Sequence, residues 1–143
     1  MDIAEVRYDW LYSPGVRRVT EFILLHHAGV PRISSGYMHK RHMSMGGAGI
    51  AYHYLVGKDG VVYRGRPEDW RSGEGLGISG RTLSVCFEGN FNREQMTELQ
   101  AAAGVELVTD LRLRYGGVMV RPHKGAAVTS CPGIYFPYGR FLE

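Results

Sequence analysis

Nowhere does the chain carry an apolar run approaching the ~20 residues that a membrane-spanning helix needs, so insertion into a membrane is not expected. Cysteine is scarce as well. Cys86 and Cys131 are too few for the disulfide framework of a small secreted domain, and they are expected to be free thiols or, for one of them, a thiolate on a metal. Repeats, low-complexity tracts and Pro/Ser-rich linkers are missing, which removes any reason to place a domain boundary. There is no dense basic stripe and no named nucleic-acid motif: Arg64, Arg66 and Arg71 are scattered, and the formal charge is only +3. Such a mild excess helps attract an anionic surface, but scattered cations read as a solvated exterior, and no nucleic-acid partner is expected. The opening segment, Met1 to Leu11, places Asp2, Glu5, Arg7 and Asp9 where a signal peptide would be apolar. The chain is therefore expected to be cytoplasmic in the cell that makes it.

What is present fits one globular domain over residues 1–143, 44% of them hydrophobic. Phe22-Ile23-Leu24-Leu25, inside Val19 to His27, is a short apolar run of the kind that becomes a buried strand. Ser34 to Met45 reads as a short helix stopped by Gly46-Gly47. Ile50 to Val56 and Val61 to Arg64 flank an Asp59-Gly60 turn and predict a hairpin. A glycine-rich loop over Pro67 to Arg81 precedes a strand from Thr82 to Glu88. Asn92, with Gln95 three residues on, is the expected cap of the longest helix, where Met96, Leu99, Ala103, Leu107 and Leu111 recur at helical spacing up to Gly116-Gly117. Val118 to Arg121 is the last predicted strand, leading into Pro122-His123 and a loop to Cys131-Pro132-Gly133. Alternating strands and helices with one hairpin predict an α/β fold, a mixed central sheet of about five strands flanked by helices.

A catalytic zinc site takes three protein ligands and leaves a fourth position to water. His26 at a predicted strand end, with His123 and Cys131 in a late loop, offers a His/His/Cys set. The spacing of His123 and Cys131 is no zinc-finger spacing, and by itself it leaves open the reading of ordinary packed or surface residues. His27 alternates to the opposite strand face from His26 and reads as a core or supporting histidine; His53 alternates away from Tyr52 in the same way. His39 and His42, one helical turn apart, would be able to share a metal but read more simply as a polar helix face. Glu88 shares a strand face with Ser84 and Cys86, where burial would raise its pKa for acid–base work; the plainer reading is a solvated carboxylate or an arginine's partner. Trp10 reads as core, and Trp70, in the glycine-rich loop, as a candidate substrate contact.

Five ordered blocks resemble a known family. Ile23-Leu24-Leu25-His26-His27-Ala28, Ala48 through Tyr52 to Val56, Asp59 to Arg66, Leu83 to Phe91, and His123 with Thr129-Ser130-Cys131-Pro132-Gly133 are similar, in that order, to the N-acetylmuramoyl-L-alanine amidases, which include phage endolysins and the animal peptidoglycan recognition proteins. Tyr8-Asp9 and Tyr135-Phe136-Pro137 resemble phage and prophage members. The resemblance implies that family's fold, a Zn²⁺ ion held by His26, His123 and Cys131, and Tyr52 and Thr129 as the catalytic residues that do not bind metal. It also implies hydrolysis of the amide between N-acetylmuramic acid and L-alanine in bacterial peptidoglycan, by an endolysin-like chain that meets the wall after release from its cell.

Zinc would acidify water and polarise the amide carbonyl. Tyr52 would orient or deprotonate that water or donate to the developing oxyanion, and Thr129 would be able to donate there too. Two alternatives are a non-catalytic peptidoglycan-binding module, which typically lacks a ligand, and a cytoplasmic muropeptide-recycling amidase, in which aspartate replaces the cysteine. The intact set and Cys131 speak against each in turn. Residues 71–81 depart from the family, where many phage relatives carry a Gly-Ala-His type sequence and an asparagine. The sequence gives no indication of oligomeric state.

Overall fold

The apolar run of residues 22–25 is the spine of the fold, as its uninterrupted hydrophobicity requires of a strand covered on both faces. A computed structural model describes residues 1–75, 77–125 and 129–142. Among them, six strands form one sheet: β1 (Ile3–Ala4), β2 (Phe22–His27), β3 (Tyr54–Val56), β4 (Val62–Arg64), β5 (Thr82–Phe87) and β6 (Met119–Pro122). Their order is β1-β4-β3-β5-β2-β6. The hairpin β3–β4 is antiparallel and every other neighbouring pair is parallel. The mixed sheet of a single α/β domain is as expected, with six strands instead of five. The additional strand, β1, has only two residues at the sheet edge, too short for any alternation to announce it. Leu76 of the divergent loop, residues 126–128 before Thr129, and Glu143 at the end of the expected domain lie outside the described residues.

Strand alternation sorts side chains onto two faces. Ile23, Leu25, Leu83, Val85 and Phe87 meet Leu107, Val108 and Leu111 of α2 (Glu98–Arg114), together with Phe136 and Phe141 from the C-terminal segment. On the other face Leu55 and Cys86 pack with Ile50 and with Met38 of α1 (Ser35–Ser44), and Trp10 and Tyr52 border that cluster. His26, two residues beyond Leu24, emerges on this second face. No helix among the described residues is long and apolar enough to cross a membrane.

Both helices are capped as their chemistry dictates, one of them by an unexpected residue. Ser34 accepts the Tyr37 N–H at 3.1 Å to start α1, and Gly46, at φ +92°, follows its end. α2 begins later than expected, because Thr97, not Asn92, accepts the Gln100 N–H at 3.2 Å. Asn92 is engaged elsewhere: its Nδ2 donates to the Ser130 hydroxyl at 3.1 Å and its Oδ1 accepts the Ile134 N–H at 3.2 Å. Leu99, placed on the apolar face by spacing, is 66% exposed, and the buried stripe runs instead through Ala101, Gly104, Leu107, Val108 and Leu111.

Two further expectations are corrected on the α1 face. His39 and His42 are neither a metal pair nor a polar surface. The Nδ1 of His39 accepts the Ile50 N–H at 3.0 Å, and that of His42 accepts the Ala51 N–H at 2.9 Å, so they stitch the helix to the segment before β3. Arg66 is not solvated: it is 3% exposed and donates to the carbonyls of Ile50 at 2.7 Å and Arg71 at 2.8 Å, satisfying a buried charge as burial demands.

Candidate active site

Parallel pairing explains why three residues far apart in the chain meet. β6 runs beside β2 up to the pair Leu25–Pro122, so the next residues, His26 on β2 and His123 just past the end of β6, emerge side by side with ring centroids 4.6 Å apart. Cys131 is returned to the same point by the following loop. Its carbonyl accepts the Lys124 N–H at 2.8 Å, and its Sγ accepts the His27 N–H at 3.3 Å. One ligand atom from each of His26, His123 and Cys131 lies within 4.8 Å of the others, and His26 is 1% exposed.

These three side chains fit a metal ion by chemistry as well as position. Two imidazoles and a thiolate are a donor set suited to zinc. Burial alone would raise the Cys131 thiol, but hydrogen bonding from His123 and His26 outweighs it and brings the group down to about 7. Burial would lower His26, yet Cys131 and Glu74 beside it raise it to about 9. The cluster therefore gathers negative charge around a buried imidazole, which is the electrostatic setting a cation would relieve.

A cleft of about 550 Å³ opens over the cluster, and His26, His42, Tyr52, Arg71, Glu74 and His123 line it. The Tyr52 ring stands 4.8 Å from that of His26 and 5.7 Å from that of His42. Burial, then the nearby Cys86, Cys131 and Glu74, pushes its phenol well above the usual tyrosine range. Thr129 is exposed, and its hydroxyl accepts the Cys131 N–H at 3.2 Å, a bond that does not use its own O–H proton.

Other candidates fall outside the cleft. Glu88 is half-buried and accepts the N–H groups of Ile33 at 3.1 Å and Lys58 at 3.0 Å, so it is a clamp between loops, and among the described residues no arginine pairs with it. His27 accepts the Phe91 N–H at 3.1 Å, a supporting role, and His53 is fully buried, accepting the Ser84 N–H at 3.0 Å. Trp70 packs edge-on against Trp10 at 5.0 Å and is not among the cleft residues. Both cysteines are free and buried.

Glu74 went unnoticed in the sequence. It lies in the divergent loop, yet its Oε1 is 3.0 Å from the His26 Nε2, both side chains being 1% exposed. The hydroxyls of Ser72 and Ser84 donate to the same carboxylate. A glutamate standing between Gly73 and Gly75, where the chain leaves its family's pattern, was the available signal.

Comparison with known proteins follows the same outline. Residues 16–134 match the model of the N-acetylmuramoyl-L-alanine amidase family. The solved structure of N-acetylmuramoyl-L-alanine amidase LysC from Clostridium intestinale URNW superposes with a TM-score of 0.95 at 31% identity, covering 99% of this chain and 95% of that one. The endolysin of Enterobacteria phage T3 is 29% identical over 131 residues, 82% of this chain and 83% of its own length. Peptidoglycan-recognition protein SC2 of Drosophila melanogaster is 32% identical over 93 residues, so the match spans 63% of this chain and 50% of that relative. The span matched by the family model contains β2, β6 and all three converging side chains, and the chain belongs to the N-acetylmuramoyl-L-alanine amidase family, on its endolysin branch.

Proposed function

We propose that residues 1–143 form the catalytic unit of a zinc-dependent amidase that cuts peptidoglycan between N-acetylmuramic acid and L-alanine, acting in endolysin fashion on the wall after release from the producing cell. The observation that carries this reading is the convergence of His26, His123 and Cys131 within 4.8 Å at the cleft lined by Tyr52. Bound there, zinc would supply Lewis acidity to an amide carbonyl and acidify a water molecule.

The chain's own residues account for the rest. A phenol ionises near 10, so at neutral pH Tyr52 is a proton-bearing donor that would be able to orient water or to hydrogen-bond a developing oxyanion. Thr129 holds the Cys131 backbone and keeps its O–H for the same oxyanion. The cleft walls, from Arg71 to His42, give an extended peptide a bed on which to lie.

Mass spectrometry of purified wall incubated with the protein is the test, with and without a chelator. Free stem peptides beginning at L-alanine, abolished by chelation and restored by zinc, are expected. Release of reducing sugars instead, or full activity after complete zinc removal, would overturn the reading; binding to wall without any cleavage would leave a recognition module in its place.

A further inference from the structure

We propose that Glu74 is a positioning residue for the metal ligand His26, setting which imidazole nitrogen faces the ion and balancing the site's charge from the far side of the ring. The inference rests on the metal reading above.

An imidazole has two nitrogens, and only one can face Cys131 and His123. In His26 it is Nδ1, 3.9 Å from the Cys131 Sγ. The other, Nε2, is 3.0 Å from Glu74 Oε1, and because an ionised carboxylate only accepts, Nε2 keeps its hydrogen and Nδ1 is the nitrogen whose proton a metal ion would displace. The ring stands between Glu74 and Cys131, so the carboxylate holds the ligand, not the ion.

Glu74 is itself held. Ser84 donates to Oε1 from β5, where it pairs with Leu24 two residues before His26. Ser72 donates to Oε2, and the Ser72 hydroxyl lies 3.2 Å from that of Thr82, also on β5. A side chain from a loop is thus tied to the strand adjoining the one that carries His26. With both partners 1% exposed, water does not screen the bond, and a charge-assisted hydrogen bond in such surroundings is strong and directional.

Charge gives a second reason. A divalent ion on one thiolate and two neutral imidazoles keeps one uncompensated positive charge in a buried site. Glu74 supplies the matching negative charge through the ring, and makes His26 a more basic ligand, the arrangement by which outer partners strengthen metal binding.

The test measures zinc affinity by competition with a chromophoric chelator, and the visible spectrum of the Co²⁺-loaded protein, for the parent chain, Glu74→Ala, Glu74→Gln and His123→Ala. Glu74→Ala is expected to bind zinc about 10–100-fold more weakly, with a shifted Co²⁺ spectrum. Glu74→Gln, whose amide oxygen still accepts from Nε2 without the charge, should fall in between. The isosteric glutamine variant decides the matter if the alanine variant fails to fold. Affinities of the folded Glu74 variants within about twofold of the parent, with unchanged Co²⁺ spectra, would overturn the role of Glu74 while His123→Ala still lost its zinc. A parent chain that takes up no zinc would overturn the metal reading and this inference together.

Discussion

Nδ1 of His26 stands 3.9 Å from Sγ of Cys131, across 105 residues of chain. One parallel strand pairing, β2 with β6, and the loop that follows it are needed to create that approach, so the contact tests fold and chemistry together. Cys131→Ser keeps the size of the side chain but replaces a soft thiolate by a hydroxyl that stays protonated at neutral pH. Zinc bound per chain should fall well below one, and stem-peptide release should drop by more than ~100-fold, beyond the ~10–100-fold typical of losing an outer partner. The metal-free variant should melt within a few degrees of the metal-free parent. Full zinc occupancy in Cys131→Ser would remove Cys131 from the ligand set.

Tyr52 and Thr129 are separable by what each touches. Tyr52→Phe keeps the ring 4.8 Å from that of His26 and removes a hydroxyl that hydrogen-bonds Cys86, so kcat should fall by about 10²-fold with zinc content unchanged. Thr129→Val also deletes the acceptor of the Cys131 N–H, so zinc affinity should weaken along with kcat, and Thr129→Ser should restore both. Paired measurements of zinc content and release kinetics would detect the difference. Unchanged turnover in Tyr52→Phe would exclude the phenol from the reaction.

How legible this was depends on the range of the information. The strand at residues 22–27, the Asp59-Gly60 hairpin and the α1 caps are local, set by apolar runs and turn chemistry within a few residues. The His26–His123–Cys131 set was visible as a pattern, although only β2–β6 pairing makes it a cluster. Glu74 was visible only as a glutamate in a divergent glycine-rich loop, since its meaning depends on that loop folding back onto a histidine 48 residues away. Asn92 and Thr97 are both competent caps; the choice fell to Thr97 because Ser130 and Ile134 take the Asn92 amide. His42 and Arg66 look like surface residues until α1 and the loop dock and turn them inward.

Acid should weaken the fold through Glu68, which is not among the cluster or cleft residues, once pH falls below the usual carboxylate range. Burial alone would raise its carboxyl, but hydrogen bonds from Arg114, Tyr115 and Tyr54 outweigh it and hold it at about 2. The unfolded chain takes up this proton near 4.5, so the stabilisation is fully present above that pH and is lost as pH falls through about 2. Glu68→Gln should cost on the order of 1–2 kcal/mol at pH 7, less than the full shift implies, because solvent screens the half-exposed Arg114. The gap between the urea midpoints of parent and variant should hold from pH 7 to about pH 4.5, narrow clearly by pH 3 and close only near pH 2. A constant gap over that range would mean that Glu68 does not titrate as its contacts require.

Gly65 links backbone packing to the placement of Tyr52. A Cβ at this position would lie 2.1 Å from the carbonyl oxygen of Tyr52 and 3.5 Å from the carbonyl carbon of His53, and backbone atoms cannot swing aside as a side-chain tip can. The same Tyr52 oxygen already accepts the Arg66 N–H at 2.8 Å, while Gly65 donates to His53 at 2.8 Å, so the two segments are locked edge to edge. Gly65→Ala must therefore push Tyr52 away, at a cost of about 1–3 kcal/mol in stability. Since a displacement near 1 Å of a reacting group can cost ~10²-fold, kcat should fall by about 10–100-fold. Zinc affinity should hardly change, because none of the three ligands sits on either segment. Gly36 of α1, where a Cβ would meet nothing within 4 Å, is the control: Gly36→Ala should leave turnover intact and stabilise the chain by up to ~1 kcal/mol. If Gly65→Ala loses stability but keeps full turnover, the position of the Tyr52 backbone is not what sets the rate.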